Sequence, residues 1–246
     1  MKEIIGIIAA LVVLTGACAR PADGEMQPPA FSHAAWDQLL QKHVSAAGKV
    51  DYRGFKQDIS ALQAYLDLLS NHPPQSDWSR NQRLAYWINV YNAFTVKLIV
   101  DNYPTTSITA LEGGKPWNKR WIRIGDKTYT LDEVENAVIR KQFAEPRIHF
   151  AVNCASISCP ELLNSAYTAE KLEQQLETQT RKYINKPLHN RLSASQPQVS
   201  QLFEWYADDF KQKDGSVIAF INRYAATRIN ENATLAFRPY DWNLNE

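Results

Sequence analysis

The segment NQRLAYWINVYNAFTVKLIV, residues 81–100, decides how the rest of the chain is read. Leu84, Trp87, Ile88, Tyr91, Phe94, Thr95 and Leu98 recur at helical spacing and form one wide apolar stripe. This pattern predicts a buried central helix. Asn89 and Asn92 lie three residues apart on one face of it. Buried amides need hydrogen-bond partners, so the pair is expected to tie down a neighbouring loop, with a direct catalytic role as the alternative.

On the N-terminal side, Ser32 is placed to cap a helix carrying Trp36, Leu39, Leu40 and Val44 that Gly48 would stop. A second helical pattern, Ile59, Leu62, Leu66 and Leu69, ends before His72-Pro73-Pro74, and the two helices should pack as a pair. On the C-terminal side, Trp121 to Thr130 alternates around Gly125-Asp126, the pattern of a β-hairpin. Thr130-Leu131-Asp132-Glu133 is a capping box that opens a helix through Gln142. Arg147 to Val152 has the character of a strand entering the core. Helices are predicted near Thr168 to Ile184 and Val217 to Thr227, with a last strand near Leu235 to Tyr240. No internal repeat or low-complexity tract is present. The fold class these elements define is α+β, helix-rich, a single domain with a small, mainly antiparallel sheet.

Composition agrees with a single cored domain: 45% of the 246 residues are hydrophobic and 22% charged. Lys and Arg number 27 against 26 Asp and Glu, which leaves no basic field for a nucleic-acid backbone. The first residues follow a different pattern. Met1-Lys2 precedes an apolar run from Ile4 to Leu14 and then Leu14-Thr15-Gly16-Ala17-Cys18, so residues 1–18 read as a signal peptide with a lipobox-like end. Thr15 stands where a lipobox favours Leu, and Ala17-Cys18-Ala19 also fits ordinary signal cleavage. The expectation is export to the periplasmic face of a bacterial envelope, with a lipid on Cys18 as the link to the membrane. Residues 19–30 form a Pro- and Ala-rich tether, and residues 31–246 form the domain.

Reactive side chains crowd into one segment, His149 to Leu162, which contains Asn153, Cys154, Cys159 and Pro160. If residues 149–153 form a strand, His149, Ala151 and Asn153 share a face. Pro160 suits the first position of a helix, which would place Cys159 at its cap, where unpaired N–H groups lower a thiol pKa. With His149 as base and acid, Cys159 then fits the Cys–His logic of acyl transfer, with Cys154 as alternative nucleophile. Glu135 is the candidate group to orient His149, and Asn153 is an alternative orienter or oxyanion donor. Three other readings stay open for the two cysteines: a structural disulfide, a reversible redox pair, and a weakly signalled metal site. No phosphate loop, His-Glu-x-x-His or Gly-x-Ser-x-Gly motif is present, and no cofactor fingerprint is found.

Six ordered stretches carry a family resemblance: Val50-Asp51-Tyr52, Tyr86 to Ala93, Leu131 to Glu135, His149 to Leu162, Phe203 to Tyr206 with Asp209-Phe210, and Tyr240 to Asn245. Together they resemble the domain-of-unknown-function family numbered 547. The resemblance implies frequent export among bacterial members and a papain- or transglutaminase-like relationship. It marks Glu135, Arg140, His149, Asn153, Cys154, Cys159, Trp205, Asp209, Asp241 and Trp242 as motif positions. The family pattern places His after the Glu of the helix motif, where this chain has Asn136. Trp205 and Trp242 are expected as core or rim aromatics, and Asp209 and Asp241 as partners of Arg140 or caps of backbone donors. Two functions follow as rivals. One is a Cys–His hydrolase or acyltransferase acting on amide or ester bonds. The other is a non-catalytic envelope domain, stiffened by a Cys154–Cys159 bridge, that recognises a peptide or glycan.

Overall fold

The computed structural model describes residues 31–246, so the signal peptide, Cys18 and the tether lie outside the described residues. Helix α4, Arg80–Asp101, is the centre of the domain, with Leu84 to Val96 buried without a break. It opens on a capping box in which Ser79 Oγ accepts from Gln82 N and Gln82 Oε1 accepts from Ser79 N. Helices α1 (Ala34–His43), α2 (Tyr52–Gln57) and α3 (Ile59–Asn71) pack on one another, and α2 and α3 also pack on α4. Trp36 stacks on Tyr65 between α1 and α3 at 5.6 Å.

Ser32 stands one residue before the cap position of α1, its Oγ accepting from Ala34 N at 3.3 Å. The helix ends at His43, earlier than Gly48 would dictate, because Val44 is extended and bridges Val50. Gly48 instead turns the chain between those two residues at φ +74°.

The hairpin forms as the alternation predicts, β1 (Ile122–Ile124) against β2 (Lys127–Tyr129), antiparallel with Arg123 opposite Thr128. Thr130 and Glu133 complete their reciprocal cap: Thr130 N donates to Glu133 Oε2 and Glu133 N to Thr130 Oγ1. The helix they open runs in wide π turns over Glu133–Arg140 and closes as α5, Lys141–Phe143. A second two-stranded pair, β3 (Gln198–Ser200) with β4 (Ala236–Arg238), is parallel, a pairing the alternation did not specify. Helices α6 (Leu172–Ile184), α7 (Leu202–Trp205), α8 (Ala207–Asp214) and α9 (Val217–Tyr224) build a second apolar cluster around Phe150, Phe203, Phe210 and Phe220.

Two local expectations are corrected. Residues 147–152 are not a strand: Pro146–Phe150 is a short 3₁₀ helix. Pro146 fixes φ and has no N–H for a ladder, while Glu145 accepts from Arg147 N, so the chain turns. The apolar character that suggests a strand belongs to Ile148 and Phe150, which are core side chains. No helix starts at Pro160 either. Its carbonyl accepts from Asn153 Nδ2 at 2.7 Å and that of Glu161 from Gln179 Nε2 at 3.0 Å, and the chain runs without regular structure to α6.

The α4 amides act as the sequence suggests. Asn92 Nδ2 donates to Ala151 O at 2.9 Å while its Oδ1 accepts from Asn153 N at 2.8 Å. Asn89 clasps Tyr167 in the same two-handed way. Asn92→Ala would strand one buried donor and one buried acceptor, so a loss of about 2–4 kcal/mol is expected in urea unfolding, with normal folding at low temperature.

Candidate active site

Asn92 holds the front of the cysteine loop, and Asn153 holds its interior. Asn153 Oδ1 accepts from Ala155 N and its Nδ2 donates to Pro160 O, so the side chain ties two backbone points of the loop together. Ala155, next to Cys154, sits at φ +61°, a conformation that costs a non-glycine residue roughly 1 kcal/mol. The C-terminal residues lie along the loop's other side: Ile157 N donates to Asn243 O, Asn245 N to Ala155 O, and Asp241 N to Ser158 Oγ.

Cys154 and Cys159 are free thiols whose sulfurs lie 2.6 Å apart, against about 2.05 Å in a bonded disulfide. They are not equivalent. Cys159 is buried, lies on no helix cap, and its Sγ accepts from Cys154 N at 2.7 Å. Burial, then the neighbouring Cys154 sulfur, pushes the Cys159 thiol up, opposite to the cap expectation. Cys154 is half-buried, with Ser156 Oγ and Tyr240 Oη each 3.3 Å from its sulfur. Burial works against its thiolate, but hydrogen bonds from Cys159, Ser156 and Tyr240 outweigh it and pull the Cys154 thiol down. Of the two sulfurs, Cys154 is thus the more exposed and the one whose thiolate is favoured.

His149 is 1% exposed and does not hydrogen-bond to either cysteine. Its ring stacks on Tyr206 at 3.8 Å. Its Nε2 lies 2.7 Å from Asp209 Oδ2, which Arg140 Nε also engages at 2.7 Å while Arg140 Nη2 bonds Asp209 Oδ1 at 2.9 Å. An ionised Asp209 only accepts, so Nε2 carries the proton and Nδ1 carries the lone pair. Nδ1 has no hydrogen-bond partner. Burial lowers the His149 pKa, opposed by the Asp209 bond and the field of Glu135, so the imidazole is neutral near pH 7. Burial also works on Asp209, yet its bonds to His149 and Arg140 hold it well below the usual carboxylate range.

The carboxylate hydrogen-bonded to His149 is that of Asp209, on α8. Glu135, on the π-helical segment, accepts instead from Tyr206 Oη at 2.6 Å. Asp132, Glu135 and Asn136 share one face of that segment and line the same cavity as His149, Cys154 and Cys159. The cavity has a volume of about 390 Å³, with aromatic walls from Tyr91, Trp117, Trp205, Tyr206, Tyr240 and Trp242. Trp205, 45% exposed, stands at the rim against Tyr240 at 4.9 Å. Asp241 stays outside: it caps Asn243 N and does not pair with Arg140. Tyr206 and Tyr240 went unremarked as site residues, although each adjoins a motif position. Among the described residues no group of three His, Cys, Asp or Glu side chains is placed to hold a metal ion.

These features define a helix-rich α+β domain in which a thiol pair and a histidine held by Asp209 border one aromatic cavity. Residues 75–184 match the model of the family described as a protein of unknown function, DUF547, so the chain carries that family's pattern over this segment. The match includes Asn92, Glu135, His149 and both cysteines, while Tyr206, Asp209 and Tyr240 come from beyond it. No curated protein and no solved structure matches the chain.

Two outcomes are expected. In native protein iodoacetamide should modify Cys154 well before Cys159, read by peptide mass spectrometry; equal rates would contradict the asymmetry. The depressed Asp209 pKa means that its stabilisation is complete above about pH 4 and fades as pH falls below that. The stability gap between wild type and Asp209→Asn in urea melts should therefore be level above about pH 5 and shrink below about pH 4.

Proposed function

We propose that the domain is a cysteine-dependent acyl-transfer enzyme, hydrolase or acyltransferase, acting on amide or ester bonds, with Cys154 as nucleophile, His149 as base and acid, and Asp209 holding His149. The observation that carries this reading is the buried imidazole, anchored through Nε2 by Asp209, whose unpartnered Nδ1 belongs to a residue lining the same cavity as the lowered-pKa thiol. A neutral imidazole with a free lone pair is the form a general base needs.

In the proposed cycle Cys154 Sγ, deprotonated with the help of His149 Nδ1, adds to the substrate carbonyl and forms the S–C bond. The C–N or C–O bond then breaks, and the leaving amine or alkoxide takes the proton from His149. Water or an acceptor amine, giving a proton to His149 Nδ1, attacks the thioester; the S–C bond breaks, and Cys154 leaves as the thiolate and takes that proton back. Burial keeps the Tyr240 hydroxyl protonated, so it remains a donor beside the sulfur throughout. The proposal requires His149 Nδ1 and the Cys154 sulfur, both in the wall of this cavity, to come within hydrogen-bond reach in the substrate complex.

A second reading is favoured by the 2.6 Å approach of the two sulfurs. Joined as a disulfide they would leave a stiffened binding loop with no nucleophile, the non-catalytic alternative. For either reading we place the domain at the periplasmic face of the envelope, delivered by residues 1–18 and held through Cys18; mass spectrometry of the native N-terminus would show a lipid-modified Cys18 or its absence.

An acyl-type electrophilic probe separates the two. The expected result is stoichiometric capture that disappears in Cys154→Ala, persists in Cys159→Ala and slows by about 10²–10⁴-fold in Asp209→Asn near pH 7. Capture unchanged in folded Cys154→Ala defeats the assignment. Thiols that alkylate only after reduction, in protein taken from its native compartment, support the bridged loop.

A further inference from the structure

A buried carboxylate in a folded protein is normally paired with a cation or saturated with hydrogen bonds. Glu135 is neither. It is 6% exposed, its one hydrogen bond among the described residues is from Tyr206 Oη, and no Lys or Arg forms an ion pair with it. Arg140, whose charge it feels, is already committed to both Asp209 oxygens and to Asn136 Oδ1. The cavity that Glu135 lines contains a second carboxylate, Asp132, and no Lys or Arg. A second buried group in the same wall, His149 Nδ1, also lacks a partner. Six aromatic side chains line the same cavity, and ring faces attract cations through their quadrupoles.

We propose that the cavity takes a substrate bearing a primary ammonium group on an aliphatic stem, as on a lysine or diamino-acid side chain, with Glu135 as its counter-charge and the aromatic wall around its methylenes. The stem's methylenes suit Trp205, Tyr240 and Trp242, which pack against one another at 4.6–5.9 Å. Tyr206 holds Glu135 in place, so the carboxylate needs no reorganisation on binding. This inference rests on the acyl-transfer reading only for which cavity is the site. Glu135 is a recognition group here, distinct from the reacting sulfur.

Binding tests it without turnover. In Cys154→Ser protein, the tryptophan indole N–H signals are followed by NMR during titration with N-acetyl-lysinamide, its neutral isostere N-acetyl-norleucinamide, and N-acetylglucosamine. Saturable binding of the lysine compound, about tenfold tighter than the norleucine compound, is expected, with the preference lost in Glu135→Gln that still melts cooperatively. Norleucinamide binding as well as lysinamide overturns the proposal, and this comparison needs no Glu135 variant. Binding of N-acetylglucosamine alone, insensitive to Glu135→Gln, also overturns it and marks a glycan site. A chain that binds lysinamide yet captures no electrophile at Cys154 would end the acyl-transfer reading and leave this one standing.

Discussion

Two side-chain amides on a helix that water does not reach hold the reactive region together. Asn89 and Asn92 lie on the buried stretch of α4, where an amide without partners would cost about 1–3 kcal/mol. Each meets that demand with the backbone of a segment that has no regular structure of its own: Asn89 with Tyr167, Asn92 with Ala151 and Asn153. The cysteine loop is thereby fixed to the buried central helix of the domain. Asn153 passes the constraint on to Ala155 and Pro160, and the C-terminal residues close over the loop from the other side. A loop tied at this many points can hold Ala155 in a left-handed conformation beside Cys154.

Charge in the site is divided into two groups with different partners. Arg140 and Asp209 neutralise one another, and Asp209 has one further lone pair to hold His149 Nε2. Burial keeps that imidazole neutral, so the Arg–Asp–His group contributes orientation and a free lone pair without a net positive charge. Glu135 is hydrogen-bonded by a phenol alone, in a cavity whose lining has a second acid, Asp132, and neither Lys nor Arg. Tyr206 joins the two groups, its ring stacked on His149 and its hydroxyl bound to Glu135. Its position three residues before Asp209 puts both on the same approach to the cavity, one at the entry of α8 and the other in its first turn.

The two sulfurs, five residues apart, differ because their surroundings do. Cys159 is enclosed and pays the desolvation of a thiolate, whereas Cys154 faces the cavity with hydroxyl donors beside it. Both thiols are free, and their sulfurs lie 2.6 Å apart.

Much of the scaffold was legible in the residues themselves. The apolar stripe of α4, the Thr130–Glu133 box and the hairpin around Gly125-Asp126 are local patterns, and each formed because its own spacing and capping suffice. The buried role of Asn89 and Asn92 was also readable, since a polar side chain inside such a stripe must find backbone to bond. His149, Cys154 and Asp209 were all identifiable as residues of interest, but their relations were not. The helix at Pro160 and the strand at 147–152 failed because carbonyls and N–H groups there are taken by side chains far along the chain. Asp209 became the partner of His149, and Glu135 that of Tyr206, through contacts spanning 60 and 71 residues. Local spacing determined which elements form; only tertiary packing decided which acid meets which base, because those pairings are set by the π segment packing on α4 and α8 packing on the 3₁₀ turn that carries His149, and by no periodicity in the chain.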